Sequence, residues 1–252
     1  MIVKDNQISQ AGHWYTRSGE SAYTVIGKNG KERNTTLRDA REHSLVPSVT
    51  TILKCASSPG LEAWKQTQVL LSALTLPKRD GETEESWLQR VMSDSKETGR
   101  KAADRGTAIH AIVQSHYEDK PSKDGYEFIR GTEKALDDTF GVQKWISEAS
   151  FAHELGFGGK CDLHSKAGIV VDLKTKEFDD PEKVQGYDEH LMQLAAYRVG
   201  FGMPDAKCAN VFISVTKPGL VKVQVWSEEE LQKGWKMFQA LLTYWQVNNN
   251  YK

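Results

Sequence analysis

Asp162, Asp172 and Lys174 are the residues whose types and spacing most directly imply chemistry. They lie in the run Gly159-Lys160-Cys161-Asp162 and, ten residues later, in Asp172-Leu173-Lys174. Two carboxylates on neighbouring strands can hold a divalent cation, and a lysine can set an ammonium group beside it. That combination meets the requirements for attack on a phosphodiester, which needs an activated water and positive charge on the phosphate.

The flanking residues must form strands for this to work. Ile169, Val171 and Leu173 alternate with Val170, Asp172 and Lys174, the period of a strand. Lys166-Ala167-Gly168 ends in Gly, as in a three-residue hairpin loop whose last residue is left-handed. The register it implies sets Asp162 opposite Asp172 and Lys160 opposite Lys174. Glu154-Leu155-Gly156 repeats the device and sets Glu148 opposite Asp162. The segment from Trp145 to Lys176 is therefore expected to form three antiparallel strands. Glu148, Asp162 and Asp172 would make a row across one face, with Ala149, Phe151, Cys161, Leu163, Val171 and Leu173 forming a core on the other. Like charges directly opposite one another destabilise a sheet. Three carboxylates about 5 Å apart need a cation or raised pKa values. With Lys174 on the same face, a metal site accounts for the row better than an acid turned to solvent.

Upstream, residues 13 to 36 read as short strands with turns at Arg17-Ser18-Gly19-Glu20 and Lys28-Asn29-Gly30, the second a hairpin signal. Pro47-Ser48 opens a helical stretch through Leu53. Ser48 is a natural N-cap there, and its hydroxyl, with Thr50, suits either capping or a phosphate. Helical patterns follow from Leu61 to Leu74 and from Glu82 to Val91, broken near residues 76 to 81. Trp64 and Trp87 on them are candidates both for core packing and for stacking on bases. A long helix is expected from Asp94 to Tyr117. Gly106 and His110 share a face of it, and a helix glycine is costly unless something packs closely there. Residues 120 to 143, with Pro121, Gly125 and Gly131, read as a loop and a helix. Asp188 to Gly200 read as a helix with Gln193 and Tyr197 on one face. Val211 to Val215 and Val221 to Trp226 read as strands, and Glu228 to Gln246 as a closing helix.

Taken in order, these motifs resemble the PD-(D/E)XK nuclease superfamily, and within it the RecB-like exonuclease branch. Gly159-x-x-Asp162 with Asp172-x-Lys174, and Gln193-Leu194-Ala195-Ala196-Tyr197-Arg198 on the following helix, match the branch. Gly106-Thr107-Ala108-Ile109-His110 is similar to its Gly-Thr-x-x-His motif. Val46-Pro47-Ser48-Val49-Thr50-Thr51-Ile52-Leu53 resembles a segment of the mitochondrial genome maintenance exonucleases and related phage nucleases. Cys161 stands where the superfamily's name has proline.

The resemblance implies an α/β fold, a mixed central sheet flanked by helices (a restriction-endonuclease-like core) with an N-terminal helical elaboration. One nuclease domain is expected over residues 1–252, with residues 1–93 as the hairpin and helical subregion and 94–252 as the catalytic core. It implies that His110, Asp162, Asp172 and the Leu173 carbonyl hold Mg²⁺ or Mn²⁺, with Glu148 contributing to a second ion. Lys174 would orient or deprotonate the attacking water, and Gln193 and Tyr197 would hold the phosphate or buttress Lys174. Arg198 points to another helix face and is open to a structural role. Ser48, Thr50, Gly106 and Thr107 are the expected substrate contacts.

Composition bounds the rest. Lys and Arg number 33 against 34 acidic residues, so nucleic-acid binding must come from a local groove and from metal ions. Hydrophobic residues make up 38% of the chain, enough for a core. No apolar run approaches the ~20 residues of a membrane span, and no signal-peptide pattern opens the chain. A soluble cytoplasmic protein is expected, in the host cytoplasm if phage-encoded. The three cysteines, Cys55, Cys161 and Cys208, imply no disulfide framework. They cannot supply the four ligands of the branch's iron–sulfur members. The expected activity is a metal-dependent exonuclease on DNA ends, single strands preferred, in replication, recombination or repair. Its partners would be DNA and a recombination or single-strand-binding protein. A structure- or site-specific endonuclease on the same core and a non-catalytic DNA-end binding protein are the alternatives.

Overall fold

The computed structural model describes residues 12–56, 58–120 and 124–251. In chain order these form β1 (Trp14–Tyr15), β2 (Thr24–Ile26), β3 (Glu32–Asn34), α1 (Leu37–Glu42), β4 (Val46–Pro47), α2 (Val49–Leu53), α3 (Pro59–Thr75), α4 (Glu84–Tyr117) and α5 (Tyr126–Phe140). They continue as β5 (Trp145–His153), β6 (Phe157–Ser165), β7 (Ile169–Lys176), α6 (Asp188–Gly200), β8 (Lys207–Ser214), β9 (Val221–Trp226) and α7 (Glu228–Asn248).

The main sheet has the order β5-β6-β7-β8-β9, and within it only β7 and β8 run parallel. Helix α6 makes the crossover between them, as a parallel pair demands. The expected mixed α/β sheet flanked by helices is therefore what the chain forms. Val170 and Cys208 pack on one face in a core with Leu194 and Ala195 of α6 and Phe238 of α7. Val171, Leu173, Val211 and Ile213 pack on the other with Ile109 and Val113 of α4 and Leu136 of α5. Because both faces are covered, β7 and β8 read as nearly continuous apolar runs. Each such side chain contributes about 1.5–3 kcal/mol by leaving water.

Both Gly-terminated loops form as the sequence requires. His153 pairs with Phe157 and Ser165 with Ile169, and Gly156 and Gly168 adopt φ of +87° and +80°. The β2–β3 hairpin likewise closes with Gly30 at φ +72°.

Three elements depart from expectation. The two helices expected over Glu82–Val91 and Asp94–Tyr117 are one 34-residue helix, α4. No Gly or Pro lies at the join, and the Ser95 hydroxyl bonds the Met92 carbonyl (2.9 Å) inside the helix, so nothing breaks it. A further helix, α1, opens with a Thr36–Asp39 capping box, tightened by a two-point Arg33–Asp39 ion pair at 2.6 and 2.7 Å. β8 begins at Lys207 rather than Val211. Of the two tryptophans considered for stacking, Trp87 is tied to the end of α3, while Trp64 is 41% exposed. Trp87 donates through Nε1 to the Leu76 carbonyl at 2.7 Å, and the Trp64 ring edge lies over Gly99. The loop expected around Pro121 falls outside the described residues. Among the described residues, no helix is long and apolar enough to cross a membrane.

Candidate active site

The site forms where β6 and β7 part. Their pairing runs from Ser165↔Ile169 to Leu163↔Val171 and stops there. Beyond that point the Asp162 carboxylate takes up the next backbone donor, accepting from the Leu173 N–H through Oδ2 at 2.6 Å. The Cys161 thiol reaches the carbonyls of Leu163 (3.1 Å) and Val171 (3.2 Å) across the same gap. On the other side, β5–β6 pairing is interrupted at Glu148 and Asp162, although the register is the same above and below. Glu148 there adopts φ +54° and its carboxylate ion-pairs with the Lys160 ammonium.

These facts correct the expected row of acids. Its members keep their order along the strands, but they are not stacked cross-strand pairs, which mutual repulsion disfavours. One strand twists through a left-handed residue and the other opens, so Asp162 reaches towards β7 and Glu148 towards Lys160. Lys160 lies opposite Ser150 of β5, as the expected β5–β6 register requires, but the β6–β7 ladder has ended before it could pair with Lys174. The same break divides the expected core. Phe151 and Cys161 pack on the α6–α7 side, whereas Leu163, Val171 and Leu173 pack on the α4–α5 side.

Asp172 is only 2% exposed and fully partnered. Lys174 Nζ lies 2.9 and 2.7 Å from its two oxygens. Gln193 Nε2 donates to Oδ1 and Asn210 Nδ2 to Oδ2, each at 2.8 Å. Gln193 also accepts from Lys174 Nζ through Oε1 (3.2 Å) and donates to the Tyr197 hydroxyl (3.0 Å). The face shared by Gln193 and Tyr197 thus meets the Asp172–Lys174 pair. Asn210 is a site residue that the motifs did not single out. It lies opposite Asp172 in the parallel register, and its Oδ1 accepts from Trp226 Nε1 at 2.8 Å. The signal was available, because an Asn at the centre of Cys208-Ala209-Asn210-Val211-Phe212-Ile213 needs a polar partner once buried.

The electrostatics follow from burial and the shortage of cations. Burial, reinforced by Asp172 and opposed by Lys174, pushes the Asp162 pKa up to about 7. Burial pulls the Lys174 ammonium down, but Asp172 and Asp162 more than offset it and the net shift is upwards. Lys174 is therefore a held cation in this state. His110 projects from α4 towards the same cluster. Burial lowers its pKa, with Asp172 and Glu148 opposing and Lys174 adding, so the imidazole is neutral, the form that can ligate a metal. Gly106 brings α4 close enough, since a Cβ there would meet the Thr175 hydroxyl at 2.7 Å. His190 of α6 also faces the cluster, and burial followed by the Lys174 charge lowers its pKa to about 4.

Among the described residues, no three of the His, Cys, Asp and Glu side chains stand ready-arranged around a metal position. The donor chemistry nevertheless fits a divalent cation. Asp162 is a buried acid held by a backbone N–H rather than by an ion pair of its own, Asp172 and Glu148 are held by ammonium groups that a cation could replace, and the His110 pKa is lowered towards the neutral form. The Leu173 N–H is committed to Asp162.

The remaining expected contacts are dispersed. Ser48 is buried and caps α2, accepting from the Thr51 N–H at 3.0 Å, while Thr50 is exposed beside it. Gly106 is buried against β7, and Thr107 is exposed with its hydroxyl bonded to Ala103 of its own helix (3.0 Å). Arg198 is buried in a two-point ion pair with Glu228 of α7 at 2.7 and 3.0 Å, a helix-to-helix tie rather than a phosphate contact.

No protein-family model and no curated protein gives a significant match to the chain. Solved structures that match the chain include three at low identity. The first is a protein called SSO0001, at 16% identity over 72% of this chain and 85% of that one, with a TM-score of 0.32. The second is an alkaline exonuclease from Laribacter hongkongensis, at 13% identity over 74% and 97%, with a TM-score of 0.35. The third is a candidate exonuclease from Eubacterium rectale, at 14% identity over 59% and 69%, with a TM-score of 0.39.

Proposed function

We propose that this protein is a divalent-metal-dependent DNA exonuclease that hydrolyses phosphodiester bonds from DNA ends, with a preference for single strands. The observation that carries this reading is the Asp162–Asp172–Lys174 cluster at the parting of β6 and β7, with Asp162 held by the Leu173 N–H and the Asp172–Lys174 pair held by Gln193 and Asn210. The motif order and the neutral His110 support it.

In this reading His110, Asp162, Asp172 and the Leu173 carbonyl hold Mg²⁺ or Mn²⁺, with Glu148 serving a second ion. When bound, the metal lowers the pKa of a water and draws charge from the scissile phosphate. Lys174, kept protonated by its carboxylate neighbours, stabilises charge on the phosphorane and orients the water. Gln193 keeps the Lys174 ammonium and the Asp172 carboxylate in register, and Tyr197 holds Gln193 in place. This reading takes residues 94–252 as the catalytic core and residues 1–93 as its elaboration, with α4 running unbroken across that boundary. A role in replication, recombination or repair beside a single-strand-binding partner fits that chemistry.

The test is cleavage of linear single-stranded, linear duplex and covalently closed circular DNA, each with Mg²⁺, Mn²⁺ or EDTA. Metal-dependent loss of linear DNA alone, absent in Asp172→Ala, is the expected result. Cutting of circles would replace this reading with an endonuclease, and tight end binding without cleavage would replace it with a DNA-end binder.

A further inference from the structure

The N-terminal strands carry aromatic rings to the mouth of the cluster. β1 pairs with β4, and Ser48, just beyond β4, bridges to Gly158 of β6. Tyr15 lies so close to β6 that a Cβ on Gly158 would meet it at 3.0 Å. The Tyr15 hydroxyl bonds that of Tyr23 at 2.6 Å, and the Tyr23 ring stacks on His13 with centroids 4.5 Å apart and planes 25° apart. The stack is tied to β6 through Tyr15, and Lys160 of that strand lies near it. The ammonium that holds Glu148 lies within electrostatic reach of both His13 and Tyr23, and Lys54 acts on His13 as well.

The fold itself makes little use of the His13 ring. Its neighbour Trp14 is buried in the core, whereas His13 is exposed. Stacked on Tyr23 by one face and exposed, it presents a flat ring, with Lys54 and Lys160 within electrostatic reach. A flat ring face suits a nucleobase, and flanking lysines suit the phosphates on either side of it.

We propose that the His13–Tyr23 stack is a shelf for one base of a single-stranded nucleic acid entering the site, with Lys54 and Lys160 meeting the adjacent phosphates. This rests on the nuclease reading and names the substrate contact that would select unpaired strands, since a base inside a duplex has no free face to offer. A partner protein is disfavoured by the small area of the stack.

The test is fluorescence anisotropy of a short labelled oligothymidylate in EDTA, compared with an abasic oligonucleotide of the same length. The unmutated protein is expected to bind the base-bearing strand about tenfold more tightly. His13→Ala should remove that difference, and His13→Trp should keep it. Equal affinity of the unmutated protein for both strands would overturn the shelf, as would a His13→Ala loss that is the same on both. Cleavage by the unmutated protein separates the two readings. If it cleaves single strands but shows no base dependence, the shelf alone falls. If it neither binds nor cleaves, the nuclease reading falls and takes the shelf with it.

Discussion

Asn210 donates to Asp172 at 2.8 Å across the parallel β7–β8 pair, and both side chains are buried. Asn210 is in turn oriented by Trp226, so the carboxylate at the centre of the cluster is aimed by a chain of bonds starting on an edge strand. Asn210→Ala leaves one Asp172 oxygen and the Trp226 N–H without these partners. Lys174 still holds that oxygen at 2.7 Å, so a stability loss of about 1–3 kcal/mol is expected, chiefly from the unmet Trp226 N–H. It should be read from urea unfolding, with cleavage falling about tenfold beside it.

Lys174→Ala should cut cleavage by about a thousandfold, the scale of losing a preorganised charge in a closed site, while DNA binding persists. Near-normal turnover in this variant would end the assigned role. Without metal the variant should also lose up to about 3 kcal/mol of stability at neutral pH, because a buried carboxylate loses its countercharge.

The raised Asp162 pKa, about 7, makes the metal-free protein's stability pH-dependent with a definite sign. The folded state holds this proton more tightly than the unfolded chain. Asp162 therefore adds its full stability below the ordinary aspartate pKa, and that contribution is lost as pH rises towards 7. His190, lowered to about 4, acts with the opposite sign between its folded pKa and the ordinary histidine range. The contribution should therefore be isolated as the difference between the unmutated protein and Asp162→Asn in EDTA. Relative to the variant, the unmutated protein should lose stability from pH 4 to pH 7, and a flat difference would refute the assignment.

Metal addition should reverse that trend. Saturating Mg²⁺ or Mn²⁺ at about 100 times its dissociation constant contributes about 2.7 kcal/mol and should raise the melting temperature of the unmutated protein. Proton release should accompany binding at pH 7. Asp162→Asn and Asp172→Asn should each largely abolish the shift, and an undiminished shift in both would place the metal elsewhere.

Gly106→Ala tests the contact that brings His110 to the sheet. Alanine favours a helix by up to about 1 kcal/mol, but here its Cβ meets Thr175 Oγ1 at 2.7 Å. Weaker metal binding is expected, and Thr175→Ala in the same chain should restore it by removing the obstructing hydroxyl.

The sequence by itself determined the strand pattern, both hairpin loops and the identity of the central acids and lysine. Those features are local: a two-residue period marks a strand, a Gly is needed where the backbone turns left-handed, and motif residues are fixed along the chain. The sequence also marked α6 and the shared face of Gln193 and Tyr197, since four residues make about one turn of helix. Tertiary structure alone decided where β6 and β7 separate, that Glu148 turns left-handed to meet Lys160, and that His13 and Tyr23 come beside Lys160. It also decided that Asn210 bonds Asp172 from a strand that reaches it only after a helical crossover. Repulsion between acids brought close by pairing disfavours a closed ladder there, and the other contacts depend on how separate strands pack. No local pattern encodes either, because their energies exist only once the distant segments have packed.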